Sequence, residues 1–197
     1  MPADTLNDLI ATGADGDIAL AAPDRAPLTF AGLRKLVADT VAALNALGIG
    51  RNDRVAIVLP NGPEMAAAFV AVGAGATTAP LNPAYRGEEF RFYLEDLNAR
   101  ALIVEAGSES PAIAVATELG VPVYEITVPE GAPAGTFTLP AGSAAAANPG
   151  LAGPDDTALV LHTSGTTSRP KIVPLSQTNV CASAHNIVAS LALKPAD

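Results

Sequence analysis

Two hydrophobic rhythms alternate along the chain: short continuous apolar runs, and longer stretches with apolar residues three and four apart. Leu33, Leu36, Val37, Val41, Leu44 and Leu47 follow the second rhythm and predict a helix over 29–47 with one buried face. Thr29 suits its N-cap, because the hydroxyl accepts from an otherwise unpaired amide. Gly48 and Gly50 suit its end, where a positive φ costs glycine little. Residues 54–59 (RVAIVL) read as a buried strand, broken by Pro60, Asn61, Gly62 and Pro63, and 64–73 as a small-residue helix able to pack close to a sheet. The alternation repeats with a strand over 77–81, an amphipathic helix over 87–97 carrying Phe90, Tyr93, Leu94 and Leu97, a strand over 101–104, a helix over 111–119 and a strand over 122–128. Strands separated by helices imply right-handed crossovers and a mostly parallel, doubly wound α/β sheet.

Beyond 128 the rhythm stops. Residues 129–154 are rich in Pro, Gly, Ala and Ser without periodicity, as expected of a surface excursion or a linker. A buried strand follows over 157–162 (TALVLH), then a short strand over 171–175 and a final helix over 177–193. The expected organisation is therefore an α/β lobe over 1–128, a loop over 129–154, and a strand–loop–helix unit over 155–197. The last residues, KPAD, follow a helix without a closing element, so 1–197 is expected to be the front part of a longer protein.

Composition narrows the class. The chain has 197 residues, 49% hydrophobic and 16% charged, the opposite of the balance that keeps a chain disordered. Its net charge of -9 repels polyphosphate backbones and argues against general nucleic-acid binding. The uncharged stretch from 65 to 85 is too rich in Ala and Gly, and too broken by Pro80 and Pro83, to predict a membrane span. One cysteine, Cys181, and an acidic start without a basic or apolar leader fit a reducing, cytoplasmic setting.

The chemistry concentrates in residues 163–171, TSGTTSRPK, which leave the end of a buried strand. A triphosphate needs many donors around several charged oxygens, and this run supplies them. Gly165 lets backbone approach phosphate with no Cβ in the way, and the amides of such a turn form an anion-binding concavity. Thr163, Ser164, Thr166, Thr167 and Ser168 add hydroxyl donors, with Thr166 or Thr167 the candidate Mg²⁺ ligand. Lys171 adds a point charge, and Pro170 stiffens its approach. The run is not a Walker A loop, because Pro170 precedes the lysine and Ile172 follows it. Arg169 reads as a surface residue at least as readily as a phosphate contact. His162 reads as a strand-end histidine satisfied by backbone, with a substrate or nucleotide contact as the alternative, and Cys181 reads as buried and inert. Asn82 and Pro83 read as a structural turn.

The ordered segment HTSGTTSRPKIVPLSQTN resembles the phosphate-binding signature of the adenylate-forming (AMP-binding) superfamily, and the stretch GIGRNDRVAIVLPNGPEMAAAFVAVGAGATTAPLNPAYRGEEFRFYLEDLNARALIV is similar to that family's N-terminal part. The likeness covers about 25–193. TSGTTSRPK with Ser168, PLSQTN with Gln177, and TAPLNPAYRGEEFRFYLED are most similar to the oxalate–CoA ligase group. Two residues depart from the family's usual glycines, Ser168 and Ile172, and the β-branched Ile172 excludes a positive φ there.

The resemblance implies a two-step, AMP-forming acid–CoA ligase. A carboxylate attacks the α-phosphate of MgATP to give an acyl-adenylate and pyrophosphate, and the thiol of coenzyme A then displaces AMP. Residues Thr163 to Ser168 and Lys171 would hold the β- and γ-phosphates, acting by position and charge. Oxalate or another small acid is the implied substrate, with a medium- or long-chain fatty acid as the alternative. A carrier-protein thiol acceptor and a non-catalytic nucleotide-binding module are the further alternatives. A peroxisomal address is compatible with a eukaryotic source. The family's catalytic lysine, Mg²⁺ glutamate, ribose aspartate and C-terminal lid domain would lie beyond 197, leaving no catalytic residue within this stretch. The isolated 197-residue chain is accordingly expected to release no pyrophosphate from ATP with a panel of acids; turnover at the rate of a complete ligase in a coupled pyrophosphate assay would refute this.

Overall fold

The computed structural model describes residues 3–163 and 170–194. In chain order the elements are α1 (Leu6–Ala11), β1 (Ile18–Leu20), β2 (Leu28–Thr29), α2 (Phe30–Ala46), β3 (Arg54–Val58), α3 (Pro63–Gly73), β4 (Thr77–Pro80), α4 (Gly87–Leu97), β5 (Ala101–Glu105), α5 (Pro111–Glu118), β6 (Val123–Ile126), β7 (Thr157–Thr163), β8 (Lys171–Ser176) and α6 (Gln177–Leu191). Six strands form one sheet in the order β6-β5-β3-β4-β7-β8, parallel except for β8, which turns back antiparallel on β7. The expected mostly parallel α/β sheet is therefore present.

Alternation along β3 explains why helices cover both faces. Val55 and Ile57 pack with Leu33, Leu44, Ala67 and Ala71 of α2 and α3, whereas Ala56 and Val58 pack with Phe90, Leu94 and Ala112 of α4 and α5. Placing α3 on one face and α4 and α5 on the other is what right-handed crossovers produce when the direction of connection reverses. The expected N-cap is present: Thr29 Oγ1 accepts from the Gly32 amide at 3.2 Å. Gly48 takes the positive φ, +82°, that ends α2. Gly50 serves a different purpose from the one expected, because a Cβ there would lie 2.3 Å from the carbonyl oxygen of Asn148. Three small elements were not foreseen. α1, β1 and β2 have two to six residues each, too short for a hydrophobic period to show.

The 129–154 stretch has no helix or strand, and it is a surface excursion pinned to the lobe rather than a free linker. Phe137 and Ala134 are buried. Arg25 clips its start, donating to Glu64 Oε1 at 2.9 Å and to the carbonyls of Ala132 and Pro133. Further along, Ala144 N–H donates to Ala46 O at 2.7 Å, Arg51 N–H to Asn148 O at 2.8 Å and Ala152 N–H to Ala74 O at 2.8 Å. At its end, Asp156 accepts from Gly153 N–H and from Asn52, whose own amide oxygen accepts from Thr157 N–H as β7 begins. Burial pushes the Asp156 carboxyl up, but these donors and the Arg51 guanidinium outweigh it and hold the group below its ordinary value.

Gln177, the first residue of α6, joins three helices. Its side chain is fully buried, with Oε1 accepting from the Leu6 amide at 3.0 Å and Nε2 donating to the Gly73 carbonyl at 2.6 Å. One amide group thus satisfies a free N–H at the start of α1 and a free carbonyl at the end of α3. Gly73 must be small here, since a Cβ would come within 2.8 Å of Leu6 Cδ1. Replacing Gln177 by Ala leaves both backbone groups buried without that partner, and should lower unfolding stability by about 3 kcal/mol in urea denaturation; an unchanged midpoint would show that the junction is dispensable.

Candidate functional site

Because β3, β4, β5 and β7 are parallel, their carboxyl ends emerge along one edge of the sheet. β3 leaves that edge through α3 on one face, and its neighbour β4 leaves through α4 on the other. Where adjacent connections diverge in this way, a crevice opens beyond the strand ends, and open α/β sheets bind ligands there. β7 lies parallel beside β4, so Thr163 ends on that same edge. After β4, the Asn82 side chain accepts from Ala84 N–H at 3.0 Å, which confirms Asn82 and Pro83 as a structural turn.

Of the sequence candidates, Thr163 and Lys171 are described and the structure brings them together. They form the terminal pair of the β7–β8 ladder, and both are exposed. Directly opposed residues in a ladder project from the same face, so hydroxyl and ammonium stand side by side. Ser164, Gly165, Thr166, Thr167 and Ser168, with Arg169, lie outside the described residues. Both ends of the hydroxyl-rich run are nevertheless fixed at adjacent points of the ladder. Ile172 pairs with His162 and packs against the α4–α5 core cluster. A β-branched residue suits such a strand position, so the departure from glycine carries no strain.

His162 differs from the expectation of a backbone partner. Its Nε2 lies 2.9 Å from Asp96 Oδ2 on α4, and its ring packs edge-to-face on Tyr93 with centroids 4.7 Å apart. Tyr93 in turn stacks on Tyr85 at 4.9 Å with a 16° interplanar angle. Local sequence carries no signal for this cluster, since Asp96 sits among the polar positions of an amphipathic helix far upstream of His162. Cys181 is buried as expected, and burial together with the nearby Asp4 and Asp8 carboxylates pushes its thiol up, away from nucleophilic chemistry. Among the described residues there is no group of three or more His, Cys, Asp and Glu able to hold a metal ion, and no helix is long and apolar enough to cross a membrane.

Comparison with known proteins is consistent with this geometry. The family model described as AMP-binding enzyme matches residues 10–197. A protein of Humulus lupulus named as a CoA ligase is 39% identical over 176 residues, covering 86% of this chain and 33% of that protein. The oxalate–CoA ligase of Arabidopsis thaliana is 36% identical over 209 residues, covering all of this chain and 40% of its own length. The crystal structure of ATP-bound MatB from Rhodopseudomonas palustris superposes with a TM-score of 0.74 at 25% identity, covering 94% of this chain and 37% of that one. The chain thus spans between a third and two-fifths of the length of the proteins it matches.

The aromatic cluster predicts a spectroscopic signature. The Tyr85 hydroxyl 3.5 Å away, burial, and the nearby Tyr85 and Glu89 charges raise the Tyr93 phenol to about 12. Ultraviolet titration of the folded chain should show one phenol ionising near that value, and Tyr93→Phe should remove that step; retention of the step in the variant would place it on another tyrosine.

Proposed function

The chain belongs to the AMP-binding enzyme family, and on that premise we propose that it is the ATP-gripping front part of an acid–CoA ligase. The observation that carries the reading is the pairing of Thr163 with Lys171 at the ligand-binding edge of the sheet, at the two ends of TSGTTSRPK. In the reaction, a carboxylate oxygen attacks the α-phosphorus of ATP as the bond to pyrophosphate breaks, giving an acyl-adenylate. The coenzyme A sulfur then attacks the acyl carbon, its proton leaves, and AMP departs.

This chain's part is in the first step. Lys171 faces the β- and γ-phosphates and offsets the charge that builds on the leaving pyrophosphate, while Thr163, Ser164, Thr166, Thr167, Ser168 and the Gly165 backbone donate to their oxygens. The hydroxyl oxygens suit a cation that arrives on the nucleotide and keeps much of its water, while the ammonium pairs with phosphate oxygen. Mg²⁺ bound there would supply charge neutralisation, and Thr166 or Thr167 would add a ligand to it. A small acid such as oxalate is the substrate we favour, supported by the likeness to the Arabidopsis thaliana oxalate–CoA ligase along the whole chain.

Lys171→Ala tests the grip. Removing one charge-assisted contact should weaken MgATP binding by the full-length protein, read by calorimetry, by about tenfold or more. The melting temperature should barely move, because Lys171 is exposed. Equal MgATP affinity in variant and wild type would overturn the role.

A further inference from the structure

We infer that the Asp96–His162 pair, seated on Tyr93, is a positioning device that fastens the base of the β7–β8 hairpin to α4 and so sets where Thr163 and Lys171 stand. The inference rests on the phosphate reading of 163–171. Strand alternation divides the labour at the end of the hairpin. The terminal pair, Thr163 and Lys171, projects to one face, and the pair before it, His162 and Ile172, projects to the α4 face.

Among the described residues β8 pairs with β7, which ties the hairpin to the rest of the sheet through β7 and through side-chain contacts. Ile172 and Val160 supply apolar contact on the α4 side, which resists separation but fixes no direction. The His162 hydrogen bond is directional. An ionised carboxylate only accepts, so Nε2 carries the proton and donates to Asp96. The His162 side chain is 7% exposed against 40% for Asp96, so the imidazole is sheltered while the carboxylate meets solvent. Tyr93 meets the imidazole edge-to-face, and Tyr85 backs Tyr93 from the turn after β4. The chain from β4 into α4 and the chain out of β7 are thereby locked to each other at that edge of the sheet. A phosphate grip acts by position, and a displacement of about 1 Å at its base is enough to lose much of its effect.

The test compares Asp96→Ala, Asp96→Asn and Lys171→Ala in the full-length protein, by amide hydrogen exchange without ligand and by calorimetry with MgATP at a temperature where every variant is folded. Asp96→Ala should speed exchange at residues 161–163 and 171–173 and weaken MgATP binding, each by about fivefold or more, as loss of one directional bond implies. Exchange at Val55 and Ile57 in β3 should not change. Asp96→Asn keeps an acceptor for the imidazole N–H and should restore both readouts. Should Asp96→Ala fail to fold, His162→Phe keeps the ring on Tyr93, lacks the donor, and should give the same two losses. The inference is overturned if Asp96→Ala, or His162→Phe in its place, matches wild type in both readouts while Lys171→Ala loses MgATP. If Lys171→Ala binds as wild type does, the phosphate reading fails instead, and the exchange comparison alone decides whether the pair fastens the hairpin. A lower melting temperature with unchanged affinity and exchange would mark the pair as packing only, and would also overturn it.

Discussion

The phosphate grip we propose depends on β7 running parallel beside β4, and that pairing is narrow. Thr78 lies opposite Leu159, and the buried Thr77 donates its hydroxyl to the Thr157 carbonyl at 2.7 Å. A one-residue slip there would turn Val160 out of the α4–α5 core and carry His162 and Thr163 to the wrong faces. The strand is long in sequence from its neighbour, so its register has to be set by what surrounds its start. Asn52 and Asp156 do this at the amino end, each accepting or donating across the gap between the α2–β3 turn and β7. Gln177 does it from the other side, tying the start of α6 to α1 and to the end of α3.

These fasteners share one physical character. They are side-chain amides and carboxylates that satisfy backbone groups left over where helices and strands end, and each joins segments more than a hundred residues apart. The apolar core holds the sheet together with little regard for register, whereas a buried hydrogen bond has a direction and fails if its partner shifts. The pinned excursion from 129 to 154 belongs to the same scheme, lying so close to α2 and β3 that Gly50 and Gly142 have no room for a side chain. These hydrogen bonds gather at the amino edge, opposite the edge proposed to receive phosphate.

Much of this was legible in the sequence, and the division between what was and was not is physical. The helix of 29–47, the strands of 54–59 and 101–104 and the alternation between them follow from burial, which writes a period into the chain. The phosphate-binding candidates were legible because a dense run of hydroxyls around a glycine has no place in a core. Direction was not legible: nothing in residues 171–175 says that β8 turns back antiparallel, since both directions bury the same side chains. The partners of His162 and Gln177 were not legible either. Asp96 looks like any solvated position on an amphipathic helix, and a glutamine heading a helix looks like surface until the ends of two other helices arrive beside it.

The central claim, that the end of the β7–β8 hairpin receives the nucleotide's phosphates, is tested most directly by adding ATP loaded with Mn²⁺ to the full-length protein and mapping paramagnetic broadening of its backbone amides. The account predicts the deepest loss of signal at Thr163 and Lys171, weaker loss at Asn61, Asn82 and Ala84 along the same edge, and sharp signals at Arg54, Thr77 and Ser176 at the opposite edge. Broadening centred on that opposite edge, with Thr163 and Lys171 untouched, would contradict it.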